Sequence, residues 1–301
     1  MQPEVRHVLH DESSTFSYVV WDPASLHGVI IDPALDFDGR SGRTGTDTPT
    51  RLLDIVDREG LTIDWILETH AHADHISAAP FLRERLDRPP VGIGEGIRVV
   101  QERFKRLFNL ERGFLPDGSQ FDHLFADGEA FRLGGIGANV ISTPGHTSDH
   151  LTYVIGDAVF VGDTLFMPDA GTARCDFPGG DAGLLYRSTR RLFEALPDEA
   201  RMFMLHDYGP NGRERRNETT VGAQQRDNIH VNETVSEAEY VNMREARDAT
   251  LPMPTLILPS VQVNIRAGEF PPPVVTMNSS SSSLTTVMSA RMPPPSFNSS
   301  E

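Results

Sequence analysis

Three histidines and an aspartate stand within seven residues at Thr69-His70-Ala71-His72-Ala73-Asp74-His75, directly after the apolar run Trp65-Ile66-Leu67. An apolar run bounded by charged residues predicts a short buried strand. Chain leaving a strand end enters a loop, where a rigid scaffold presents groups to ligands. Neutral imidazole and ionised carboxylate are first-row metal ligands, so this density of them predicts a metal centre rather than a solvated turn. Three further segments repeat the arrangement: Thr143-Pro144-Gly145-His146-Thr147, Gly162-Asp163-Thr164-Leu165-Phe166 and Leu205-His206-Asp207-Tyr208. Each follows a β-like apolar run, from Ala138 to Ile141, from Ala158 to Val161 and from Met202 to Leu205. Four strand ends delivering a His or Asp to one place require a sheet edge, which limits the fold to layered α/β or α+β architectures.

The rest of the chain is consistent with that frame. The segment from Arg51 to Glu59 predicts a helix, with Leu52, Leu53, Ile55 and Val56 on one face and Gly60 as its C′ residue. Further helices are expected from Ile76 to Leu86, Arg98 to Leu110, Leu184 to Leu196 and Thr219 to Ile229, with strands running through residue 163. The Gly-rich stretch Gly92-Ile93-Gly94-Glu95-Gly96 lacks the Lys-Ser/Thr ending of a phosphate-binding loop. A formal charge of −16 argues against nucleic acid or an anionic membrane surface as partner. No stretch approaches the roughly 20 apolar residues of a bilayer span, and the start of the chain carries neither a signal nor a transit pattern. With Cys175 the sole cysteine, no intrachain disulfide can form, and a reducing, cytoplasmic location is expected. From Pro271 onward the sequence is rich in Ser and Pro and nearly uncharged. Such a segment cannot bury enough apolar area to offset its ordering entropy. The expected organisation is a catalytic domain over residues 1–270 and a disordered tail over 271–301.

His70-Ala71-His72-Ala73-Asp74-His75, Pro144-Gly145-His146-Thr147, Gly162-Asp163-Thr164-Leu165-Phe166 and His206 together resemble the metallo-β-lactamase superfamily in its glyoxalase II branch. Thr15 to Asp22 and Gly28 to Pro33 resemble that branch's opening hairpin. The resemblance covers roughly residues 5 to 270 and implies a four-layer αββα sandwich with the site at one edge of two packed sheets. It also implies two possible metal arrangements. In a dinuclear zinc hydrolase, His70, His72 and His146 hold one ion and Asp74, His75 and His206 the other, with Asp163 bridging, and the pair generates a hydroxide. In the persulfide dioxygenase branch a single Fe(II) per chain sits on His70, His146 and Asp163, leaving three positions open as in non-haem iron oxygenases. His72, Asp74, His75 and His206 are then outer groups that orient ligands and hold water.

Arg174-Cys175-Asp176-Phe177 resembles the second branch, which carries an Arg followed closely by Asp-Phe where thioesterases carry a Gly-Cys-Gly-Arg stretch. The long segment between His75 and His146 and Tyr186-Arg187-Ser188 resemble a bacterial subgroup labelled β-lactamase hydrolase-like, and His206-Asp207-Tyr208 matches better than the His-Glu pair of the thioesterases. The resemblance thus implies oxidation of glutathione persulfide by O2 to sulfite and glutathione. A thioesterase, lactonase or β-lactamase activity is the alternative, and a non-catalytic metal-binding or sulfide-sensing module the second. A homodimer and a sulfurtransferase partner are compatible with the same reading. Glutathione carries two carboxylates, so arginine forks are expected near the cleft, with Arg174, Tyr208 and Arg226 as the substrate-binding candidates.

Overall fold

A computed structural model describes residues 2–275 and 286–287. Every residue of the strand Thr15–Trp21 is buried. Successive side chains of a strand point to opposite faces, so this strand needs cover on both sides. Tyr18 and Val20 enter one apolar cluster, Val19 and Trp21 another. That double demand sets the layering.

The first sheet contains β1 (Glu4–His10), β2 (Thr15–Trp21), β3 (His27–Ile31), β4 (Thr62–Leu67), β5 (Val91–Gly94) and β6 (His123–Phe125), in that spatial order. The second contains β7 (Ala130–Leu133), β8 (Ile136–Ser142), β9 (Leu151–Ile155), β10 (Ala158–Phe160), β11 (Arg201–Phe203) and β12 (Glu218–Thr220). Pairing is antiparallel from β1 to β3 and parallel from β3 to β6; in the second sheet only β10 and β11 run parallel. The two sheets face each other across Phe16, Tyr18, Val29, Leu67 and Phe125 on one side and Val140, Tyr153, Phe160 and Phe203 on the other. Outside the first sheet lie α1 (Asp47–Glu59), α2 (Ala79–Arg85), α3 (Ile97–Leu107) and α7 (Ile257–Asn264). Outside the second lie α4 (Ala182–Ala195), α5 (Val221–Asp227) and α6 (Glu237–Asp248). The expected four-layer αββα sandwich is observed.

The departures from expectation are local. α2 begins at Ala79 rather than Ile76, because Ile76–Ser77 pairs with Ala34–Leu35 as a short ladder and Pro80 fits only a first helical turn. α5 is shortened because residues 218–220 are drawn into β12 and Thr220 caps the helix. α6 and α7 were not anticipated, although Ser236 and Glu239 spell a capping box ahead of α6. Apart from 271–275 and 286–287, the tail expected to be disordered lies outside the described residues. No described helix is long and apolar enough to cross a membrane.

Candidate metal centre

The loops leaving β4, β8, β10 and β11 converge on one edge of the sandwich, carrying His70 to His75, His146, Asp163 and His206 respectively. The sheets are stitched together there, since Phe16 N–H donates to Leu205 O at 2.7 Å and Leu151 N–H to Thr69 O at 2.8 Å. Gly145 has φ +145°, and a Cβ on it would lie 2.4 Å from the Leu185 backbone, so the turn presenting His146 admits only glycine. Gly96, from the Gly-rich stretch, serves a similar close approach: its Cβ would meet Ser148 O at 2.4 Å.

Ligand atoms of His70, His146 and Asp163 lie within 4.8 Å of one another, and so do those of His72, Asp74 and His75. Asp163 connects the two groups. Its Oδ2 is 3.5 Å from His146 Nε2 and 3.9 Å from His70 Nε2, while its Oδ1 is 3.5 Å from His206 Nε2. His206 Nε2 also lies 3.2 Å from Asp74 Oδ2.

Each imidazole is oriented by a bond on its far side. Asp32 accepts from Thr69 N–H at 2.7 Å and from the Thr69 hydroxyl at 2.9 Å; the hydroxyl then accepts from His70 Nδ1 at 3.1 Å. His146 Nδ1 donates to Arg174 O at 2.7 Å. His72 Nε2 donates toward Asp32 and Glu68, each at 3.1 Å, leaving Nδ1 free. His206 Nδ1 donates to Ser14 O at 3.3 Å. His70 Nε2, His72 Nδ1, His75 Nε2, His206 Nε2, Asp74 Oδ2 and Asp163 Oδ1 are buried without a hydrogen-bond partner. Buried polar atoms are normally satisfied, so six exceptions aimed at one place fit a site built to coordinate.

The electrostatics of His70 and His75 agree. Burial and the surrounding imidazoles push His70 well below the usual histidine range, burial does the same to His150, and burial with His72 lowers His75 to about 4. Neutral rings offer the lone pairs that coordination needs. Burial opposes charge on His206 and His72, but Asp74 and Asp163 beside the first, and Asp32 and Glu68 beside the second, outweigh it and raise both. Burial also disfavours the Asp74 carboxylate, yet His206 and His75 hold its pKa below the ordinary value.

Several supporting residues were not picked out from the sequence. His150 is buried, stacks on His70 at 4.8 Å between ring centroids, and accepts from Asp163 N–H at 2.9 Å. Asp149 accepts from Ala71 N–H at 2.8 Å. Asn264, at the end of α7, donates to His72 O at 2.9 Å and to His75 O at 2.7 Å, pinning the loop from outside the first sheet. Only the spacing of His150, four residues after His146, could have drawn attention to it. The others become visible only once the chain is folded.

A cavity of about 490 Å³ opens onto Asp74, His146 and Asp163 and is lined further by Phe166, Arg174, Phe177 and Tyr208. Tyr208 is 60% exposed and its ring stacks on His206 at 5.8 Å. The Arg174 fork, expected to face a substrate carboxylate, is instead taken by Asp176 through two bonds of 2.6 Å, with Pro252 O on its third nitrogen at 2.7 Å. Arg226 does not line this cavity; it lies on α5 with its guanidinium beside Gly222, so the structure gives no support to its expected role. Cys175 is buried and its thiol is pushed up to about 12, chiefly by burial, which leaves it an inert packing group.

The segment beside His146 rests on His230, whose Nδ1 accepts from Thr172 N–H at 3.0 Å. Burial, with Arg244 and Arg247 nearby, lowers the His230 pKa from 6.5 to about 4. Between those values the unfolded chain binds more protons than the folded one, so stability rises with pH across the window and falls as acid is added. Urea midpoints measured from pH 7 to pH 4 are expected to decline less steeply in His230→Asn, which keeps an acceptor near Nδ1 but does not titrate.

A model of the metallo-β-lactamase superfamily matches residues 10–203. The chain belongs to the metallo-β-lactamase superfamily. Within this superfamily, it is 49% identical over 267 residues to a protein of Burkholderia pseudomallei named a probable metallo-hydrolase, covering 85% of this chain and 90% of that one. It is 48% identical over 269 residues to a β-lactamase hydrolase-like protein of Xylella fastidiosa, covering 89% of this chain and only 62% of the relative's length. The human persulfide dioxygenase ETHE1 is 28% identical over 266 residues, with 88% of each chain covered. The crystal structure of ETHE1 from Myxococcus xanthus superposes at a TM-score of 0.69 with 32% identity, covering 88% of this chain and 100% of that one.

Proposed function

We propose that this protein is a non-haem iron(II) persulfide dioxygenase converting glutathione persulfide, O2 and water into glutathione, sulfite and two protons. The observation that carries the reading is the buried group of His70, His146 and Asp163, with ligand atoms inside 4.8 Å of one another. Likeness to the ETHE1 proteins supports it. His70, His146 and Asp163 would hold iron(II), which would supply the redox chemistry that O2 activation needs, whereas zinc has none.

The chain's own part is orientation. Arg174-Cys175-Asp176-Phe177, the stretch that resembles the dioxygenase branch, surrounds His146 on its outer side. Arg174 O fixes its tautomer at 2.7 Å and Phe177 packs edge-on against its ring at 5.2 Å. Of the outer groups Asp74 lines the cavity, His206 stands 3.5 Å from Asp163 Oδ1 and would steady that carboxylate, and His72 and His75 would orient the loop behind them. Holding both reactants beside one centre replaces a bimolecular encounter with an oriented one. The catalytic unit in this reading is 1–270, with 271–301 appended.

The group His72, Asp74 and His75 supports a second reading, a dinuclear zinc hydrolase, and the more similar of the relatives carry hydrolase names. Protein purified without added metal separates the two. One iron per chain, with O2 consumed on glutathione persulfide, is expected. Two zincs per chain and brisk anaerobic hydrolysis of a glutathione thioester would overturn the proposal in favour of the hydrolase. An iron-loaded protein that turns over neither substrate is the metal-binding or sulfide-sensing module.

A further inference from the structure

We propose that Arg247 recognises a carboxylate on the thiol carrier of the substrate, so that the cavity selects acidic persulfides over neutral ones. This rests on the dioxygenase reading and adds the chemistry of the carrier to it.

Three arginines line the cavity: Arg174, Arg244 and Arg247. Two are already committed. Arg174 grips Asp176, as described above. Arg244 is 2% exposed, and its Nε and second terminal nitrogen reach Asp248 Oδ1 at 2.8 and 2.6 Å while the third donates to Thr172 O at 3.1 Å. Arg213, against the lining residue Asp169, is shared between Asp169 and Asp207. Arg247 stands apart from these. It is exposed, and its guanidinium has no ion pair or hydrogen bond among the described residues.

Among the described residues, the remaining wall offers an anion no other unpaired cation, only the polar groups of Tyr208, Thr172 and His146. Phe166, Phe177, Ile229 and Leu251 are apolar, and Asp74, Asp163 and Asp169 are acidic. In a chain of formal charge −16, an anionic carrier entering this cavity needs a local cation. The planar guanidinium fork matches a carboxylate in two-point geometry. A place in the last turn of α6 also suits the helix dipole, but that role does not require an arginine to face the cavity. Arg247 and Arg244 also stand near His230, where they add to the burial that chiefly lowers its pKa. A volume of about 490 Å³ accommodates a carrier of tripeptide size.

The test compares glutathione persulfide with 2-hydroxyethyl persulfide, whose carrier has no carboxylate. In Arg247→Ala the ratio of kcat/KM for the first over the second is expected to fall about tenfold through KM, the scale of one charge-assisted hydrogen bond. Arg247→Glu is expected to lower it further, and Arg247→Lys to restore part of it. Calorimetry with S-methylglutathione should show the same order of weakening without turnover. An equal loss on both persulfides, or S-methylglutathione binding indifferent to Arg247→Glu, would overturn the assignment. If the wild-type protein consumes no O2 with either persulfide, the dioxygenase reading fails, and the calorimetric comparison still decides the role of Arg247.

Discussion

Asp163→Ala is expected to give a folded protein that no longer retains iron. The carboxylate sits where the two ligand groups meet, 3.5 Å from His146 and from His206 and 3.9 Å from His70, with one oxygen buried and unpartnered. No other described carboxylate is grouped with His70 and His146. Its removal leaves two imidazoles, which neither neutralise a divalent cation nor close a three-ligand set. Losing an outer partner of a ligand costs roughly 10- to 100-fold in metal affinity, so losing the ligand should exceed about a hundredfold. The fold should survive, because the Asp163 N–H to His150 bond belongs to the backbone and is kept. Elemental analysis after gel filtration, beside near-UV circular dichroism, reads both effects. Iron content equal to wild type in Asp163→Ala would break the ligand assignment. Asp163→Asn is the finer probe, since it keeps the shape and removes only the charge.

What could be read in advance followed from spacing along the chain. His70 to His75 occupy a single loop, and Pro-Gly and Gly-Asp turns mark where His146 and Asp163 leave their strands, so the four strand ends were visible before folding. The resemblance supplied the layering that periodicity alone leaves open. What escaped were residues that matter through partners distant in sequence. Asn264 bonds to carbonyls 192 and 189 residues away, and nothing around it marks a ligand or a cap. The resemblance implied that Arg174 faces substrate, yet Asp176, two residues on, takes its fork. Among the described residues, the cavity-lining arginine without an ion pair is Arg247, on a helix that the linear reading passed over.

Asp248→Ala should be the most destabilising of the single substitutions considered, and its effect should reach the metal. Asp248 bonds twice: Oδ2 accepts from Cys175 N–H at 2.7 Å and Oδ1 holds Arg244, which itself donates to Thr172 O. The pair therefore grips both ends of the segment whose central carbonyl, Arg174 O, orients His146. Truncation leaves Arg244 charged and 2% exposed without its directly bonded carboxylate, a loss of about 3–5 kcal/mol, or roughly 10 °C in melting temperature for a domain of this size. With the segment loosened, His146 loses its fixed tautomer, and metal affinity should fall by roughly 10- to 100-fold. Lower stability alone would not prove the second effect. The double variant Arg244→Met/Asp248→Leu separates the two, because an apolar pair of similar volume recovers much of the lost stability. It still leaves Thr172 O and Cys175 N–H without those partners. Cobalt(II) titration followed by visible absorption should then show affinity still depressed while the melting temperature rises back. If the double variant binds cobalt as tightly as the wild type, α6 merely fills space, and His146 owes its orientation to Arg174 O without help from the ion pair behind it.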